Sequence, residues 1–338
     1  MIPPWHDTCE HADHQHHMKI PSALTILLAL ALNSTSQAEP LKIAYSDWPG
    51  FTIFEVAKQK GWFKDAGVEV DMLWFDYLPS IDAFSAGKVD AVTVVGTDAL
   101  VAGATGAKSK FVCLLDYSDG NDMIIGKPGV NSIKDLKGQK VGVEATLVDH
   151  LLLLKGLEAN GMKQSDVEIV NTSTNETPQA LASGKVAAVG AWYPVSGQAL
   201  AQVPGSKALF TSADAKGLIY DVLAVSPSSL ANRKDDWVKV VSVYYKCVDY
   251  ILDPKTQEDA VKIMAAKVGT DAAAYAKNIP GTHFLNLKEA KAALKKGDGL
   301  DSIYGSLKVG DKFSLDNKVY PESQKAESYV VPSIVEGL

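Results

Sequence analysis

The chain has 338 residues, long enough for two lobes with a core each, and 46% hydrophobic with 22% charged residues is a globular composition. A formal charge of −7 and the lack of any Lys/Arg run leave a polyanion such as nucleic acid nothing to hold. The first 38 residues are expected to be a leader. Met18-Lys19 opens it, Ala23 to Leu32 is apolar except for Thr25, and Ser36-Gln37-Ala38 forms a small-x-small cleavage pattern before Glu39. The apolar run is too short to span a bilayer, no Cys follows it for lipid attachment, and no later segment is long and apolar enough to cross. His6, His11, His14, His16 and His17 precede Met18. They read either as a metal tract or as residues upstream of a true start at Met18, and a signal peptide's basic first residue favours the second. Cys9 falls here too; Cys113 sits in an apolar run and Cys247 on the apolar stripe of a helix, and they are expected as two buried thiols, a disulfide being the alternative.

From Leu41 onward, short β-rich runs alternate with helical stretches. Strands are predicted at Leu41–Tyr45, Val68–Trp74, Ala91–Val95, Phe111–Leu115, Lys140–Val143, Val167–Val170 and Ala187–Ala191. Helices are predicted at Thr52–Phe63, Pro79–Ala86, Asp98–Thr105, Thr146–Asn160 and Glu176–Ser183, so the fold class is α/β with largely parallel sheets. Ala83-Phe-Ser-Ala-Gly-Lys-Val-Asp-Ala-Val92 recurs as Ala180-Leu-Ala-Ser-Gly-Lys-Val-Ala-Ala-Val189, a helix ending at Gly and a strand starting at Lys-Val in both, which suggests two lobes of similar architecture. Beyond Ser226, Trp237, Val238, Val241, Tyr244, Tyr245, Val248, Ile251 and Leu252 recur at helical spacing, followed by further helices with little strand signal. Lobe one is therefore placed at 39–119 plus 224–338 and lobe two at 120–223. The apolar runs Met123–Ile125 and Val222–Val225 are the expected crossing strands of the hinge.

Lys42-Ile-Ala-Tyr-Ser-Asp-Trp48, Ala57-Lys-Gln-Lys-Gly-Trp-Phe63, Phe84-Ser-Ala-Gly-Lys-Val-Asp-Ala-Val92, Ile133-Lys-Asp-Leu-Lys-Gly-Gln-Lys-Val-Gly-Val143 and Leu181-Ala-Ser-Gly-Lys-Val186 together span most of the chain after residue 38. In combination they resemble the nitrate/sulfonate/taurine class of ABC-transporter substrate-binding proteins. Gly120-Asn-Asp-Met-Ile-Ile125, Asp149-His-Leu-Leu-Leu-Leu154 and Gly217-Leu-Ile-Tyr-Asp221 look like a subgroup encoded near urea carboxylase genes and linked to guanidine uptake. The resemblance implies a type II periplasmic binding protein fold with ligand held between hinged lobes. It also implies a periplasmic monomer that hands a small-molecule solute to permease and ATPase subunits at the inner membrane, and not an enzyme.

In open α/β sheets ligands bind beyond the carboxyl ends of the strands. That rule alone picks out Ser46, Asp47 and Trp48 after the first strand, and Thr97 and Asp98 after Ala91–Val95. It also selects Asp116, Tyr117, Asp119 and Asp122 after Phe111–Leu115, Glu144 and Thr146 after Lys140–Val143, and Trp192 and Tyr193 after Ala187–Ala191. Asp221 falls before the return crossing, and Asn175 opens a helix as a cap or a ligand contact. Asp98 and Thr146 also suit helix capping, Asp119 suits a solvated turn, and Trp74, Phe75 and Tyr77 are read as packing, with Asp76 open. The ligand-binding set is then Asp47, Trp48, Thr97, Asp98, Asp116, Asp122, Glu144, Asn175, Trp192 and Asp221. It holds carboxylates and aromatics but no Lys or Arg. A carboxylate about 4 Å from an anion costs roughly 4 kcal/mol at an effective dielectric near 20, whereas a planar cation gains charge-assisted hydrogen bonds and cation–π contacts. A small cation such as guanidinium is expected, with urea, taurine, nitrate or an alkylsulfonate as alternatives in the same role. An enzyme on the same fold, of pyrimidine-precursor synthase or lyase type, is the alternative of another class. No metal and no cofactor are expected: His150 and His283 have no partner at ligand spacing, and Gly126 and Gly142 stand alone rather than in a phosphate loop.

Overall fold

The computed structural model describes residues 39–338, so the leader, the five early histidines and Cys9 lie outside the described residues. Strands β1 (Leu41–Tyr45), β2 (Val70–Trp74), β3 (Ala91–Val95) and β4 (Lys110–Ser118) belong to a first sheet. Then β5 (Asp122–Gly126), β6 (Lys140–Val143), β7 (Glu168–Asn171), β8 (Ala188–Trp192) and β9 (Lys207–Thr211) build a second, before β10 (Tyr220–Val225) and β11 (Thr282–Phe284) return to the first. The sheet orders are β11-β4-β10-β3-β1-β2 and β7-β6-β8-β5-β9. In each, three parallel strands adjoin an antiparallel pair: β2, β1 and β3 beside β10 and β4, and β7, β6 and β8 beside β5 and β9. The internal echo therefore marks equivalent places in two like sheets. Gly87 and Gly184, at φ 66° and 71°, close the two helices, and the strands that follow are β3 and β8, buried along their whole length.

The expected crossing strands prove to lie within single sheets. Passage between the lobes occurs just ahead of each, at residues 119–121 and 212–219, so Tyr220–Leu223 join the first sheet and not the second lobe. The reason is Gly217: its φ of 75° turns the chain before β10, and a Cβ there would lie 1.9 Å from the Leu300 carbonyl oxygen. Gly217→Ala is expected to cost roughly 2–4 kcal/mol, through left-handed strain plus a backbone clash, seen as a lowered Tm. An unchanged Tm would mean that this turn relaxes freely.

The helix predicted at Thr52–Phe63 is broken into Pro49–Thr52, Phe54–Lys60 and Trp62–Asp65. The amphipathic helix runs Lys234–Leu252, burying Trp237, Val241, Tyr244 and Val248 against the first lobe, with Tyr245 Oη donating to the Leu114 carbonyl at 3.2 Å. Helix Ile303–Asp316 packs beside helix Gly96–Ala104 and reaches the second lobe, where Phe313 meets His150 edge-on at 5.3 Å. Cys113 and Cys247 are separate buried thiols, both pushed up to about 12 by burial.

Candidate functional site

Between the two sheets lies a narrow inner cavity with about 270 Å³ of atom-free space, including open solvent. Ser46 and Trp48 reach it from the end of β1, Val95 from the end of β3, and Asp221 from the start of β10. The second lobe supplies Asp122 at the start of β5 and Trp192 at the end of β8. Strand ends supply these residues because adjacent strands finish at one level, where chain direction changes between β3 and β10 and between β8 and β5. Two contacts close it across the lobes. Trp192 Nε1 donates to Asp47 Oδ1 at 3.2 Å, and the Tyr77 and Trp192 rings meet at 5.0 Å, 67° apart.

Outside that closure the cleft widens into a vestibule with about 1030 Å³ of atom-free space, including open solvent. Asp47, Asp76 and Glu144 line it, with Asn175 at its exposed rim, and Tyr77 and Trp192 belong to both chambers. Among the described residues, no Lys, Arg or His lines either chamber.

The carboxyl groups are buried without countercharge. Asp98 and Asp122 are each pushed up to about 7 and Asp47 to about 6, above all by loss of water. Asp149, buried one layer back, is raised well above the ordinary range by burial and by the charges of Asp122 and Glu144. Asp116 and Asp221 face each other across β4 and β10 and share a hydrogen bond. Burial raises both, and Asp221, further repelled by Asp116, keeps its proton longer. Burial raises Glu144 as well, against a 3.0 Å hydrogen bond from the Thr174 N–H to its Oε1. Oε2 of Glu144 and Oδ1 of Asp149 are buried and have no hydrogen-bond partner. A buried charged oxygen left bare is costly, so such atoms point to a missing donor. Among the described residues, no group of three or more His, Cys, Asp or Glu is placed to hold a metal ion.

Helix N-termini, which favour anions, are already taken here. Asp98 occupies the first turn of Gly96–Ala104 and accepts from Tyr77 Oη at 2.8 Å and from the Val148 N–H. Asp149 occupies the first turn of Val148–Ala159. Neither Asp98 nor Thr146 caps a helix: the cap positions are Val95 and Leu147.

Of the ten residues selected from sequence, Trp48, Asp122, Trp192 and Asp221 line the inner cavity, while Asp47, Glu144 and Asn175 line the vestibule with Trp192. Asp98 stands behind Tyr77, and Asp116 stands behind Trp48, whose Nε1 donates to its Oδ1 at 2.9 Å. Thr97 is a correction. Its methyl group fills the space over Gly310, where a Cβ would come within 2.1 Å, so it packs helix on helix and lines neither chamber. Tyr77, read as packing, is a wall of both chambers, and its place directly beyond β2 was the available signal. Asp149 carried no strand-end signal.

A protein of Brucella abortus (strain 2308), provisionally named a binding protein, is 32% identical over 194 residues, which are 57% of this chain and 59% of that one. The chain thus covers about three fifths of that relative's length. Among solved structures, the periplasmic aliphatic sulphonate binding protein of Escherichia coli superposes with a TM-score of 0.70 at 19% identity, over 88% of this chain and 99% of that one. The alkanesulfonate-binding protein of Xanthomonas axonopodis pv. citri, bound to MOPS, gives 0.72 at 17% identity, over 86% and 98%. These likenesses establish the two-lobed periplasmic binding protein fold. With residues 48–257, more than half of its length, matched by that family, the chain belongs to the NMT1/THI5-like family.

Proposed function

We propose that the protein is the periplasmic solute-binding component of an ABC importer, acting without catalysis, and that it holds a small planar cation of the guanidinium type in the inner cavity. One observation carries the ligand class: Asp122 and Asp221 line an inner cavity backed by Asp98, Asp116 and Asp149, with no basic side chain among the described residues on its walls. A guanidinium brings donors in one plane for carboxylate oxygens, and its flat faces suit the rings of Trp48, Trp192 and Tyr77. An anion would meet carboxylates at the very helix N-termini that would otherwise attract it.

The names of the solved relatives favour a second reading, an alkylsulfonate as cargo. A thermal-shift series with guanidinium, urea, taurine, nitrate and an alkylsulfonate, each at millimolar concentration, separates the two. Guanidinium is expected to raise Tm by several degrees, since a ligand at about a hundred times its Kd adds roughly 2.7 kcal/mol. A rise with a sulfonate or nitrate and none with guanidinium would end the cationic reading. Turnover of any of these compounds would end the non-catalytic one.

A further inference from the structure

The vestibule has a feature that a bare guanidinium does not use. Glu144 is 7% exposed, lines the outer chamber, takes one hydrogen bond from the Thr174 N–H, and leaves Oε2 bare. Asp47 and Asp76 are close enough to raise it further by their charge, and among the described residues no basic side chain lines the chamber. Between this acidic seat and the inner one stands an apolar partition, the rings of Tyr77 and Trp192 packed edge to face. Going outward, the walls therefore run carboxylate, hydrocarbon, carboxylate.

We propose that the vestibule is a second cation subsite and that the preferred cargo is an elongated dication. A guanidinium head sits against Asp122 and Asp221, a short alkyl chain parts the Tyr77–Trp192 ring contact and lies between the two rings, and a terminal ammonium pairs with Glu144 and Asp47. The proposal rests on the cationic reading of the inner cavity. Joining two seats in one molecule makes the second contact intramolecular, so affinity rises without any new wall.

Calorimetric titration of the purified protein with guanidinium, butylguanidine and 4-aminobutylguanidine tests it, butylguanidine matching chain length and apolar area without the second charge. The dication is expected to bind at least tenfold tighter than butylguanidine. Glu144→Gln should remove that advantage, and Asp76→Asn, at an exposed position where folding is not at stake, should reduce it. Equal affinity of the two alkylguanidines, or an equal loss for both in Glu144→Gln, would overturn the second subsite and leave guanidinium binding in place. Absence of binding by all three compounds would overturn both readings together.

Discussion

Raising the pH from about 4.5 to 7.5 is expected to destabilise the empty protein, with Tm falling by roughly 5–10 °C, and saturating guanidinium should flatten the slope. The sign follows from the buried carboxyls. Asp98 and Asp122 ionise near 7 in the fold and near 3.8 in the unfolded chain, so between those values the native state binds more protons. Their stabilisation is complete below about 3.8 and is lost as pH rises through about 7. Asp47, raised to about 6, and Asp149, Asp116 and Asp221, also raised, act in the same direction. His150, whose pKa is lowered by burial, works the opposite way below about 6.5, but it is one group against seven, since Glu144 is raised too. A bound cation favours the ionised carboxylates and cancels the loss, so guanidinium should bind more tightly as pH rises through 6 to 7 and release protons as it binds. A Tm that climbs with pH in the empty protein would show that these groups do not face one another in a dry site.

Asp122→Asn and Asp221→Asn should each weaken guanidinium binding about a hundredfold or more, near 3 kcal/mol, because a bound cation loses a buried partner. The same changes should raise the Tm of the empty protein at pH 7.5. Each removes a charge that is costly without cargo, and at position 221 an amide can donate to Asp116 as the protonated carboxyl does. Opposite signs on affinity and stability distinguish a ligand seat from a structural prop. Loss of both together would mean that the carboxyls serve the fold, and unchanged affinity would remove them from the site.

Much of the molecule was legible in its sequence because the central strands are covered on both faces. β3, β8 and β10 read as continuous apolar runs, and the helix–Gly–strand echo marked two like sheets. β9 went unread because it is an edge strand with exposed residues at Lys207 and Ala208, and β11 is only three residues long. The strand-end rule found most of the cavity, but it gives a place along the chain and not a direction around a helix. Thr97 and Asp98 are neighbours about 100° apart on one helix, so one meets Gly310 and the other Tyr77. Asp149 escaped for a related reason: a helical side chain points back toward the N-terminus, so a first-turn residue can stand behind the cleft from inside its own helix.

The two passages between the lobes are clasped at one point. Ser118 Oγ and Ser212 Oγ lie 2.6 Å apart, and the Gly120 N–H donates to the same Ser212 oxygen at 2.7 Å. Asn121, next in the chain, is anchored to the first lobe by its amide, which donates to the Asn278 carbonyl and Thr282 Oγ1. If the molecule gapes with this clasp intact, the clasp is the pivot and every other atom moves in proportion to its lever arm. Asp122 stands next to the clasp, and Trp192, its register partner across β5 and β8, is held there too, because the Tyr193 N–H donates to the Asn121 carbonyl at 3.0 Å. The second lobe's wall of the inner chamber would thus stay near the pivot, and residues farther out would carry the news of an occupied chamber to the outside.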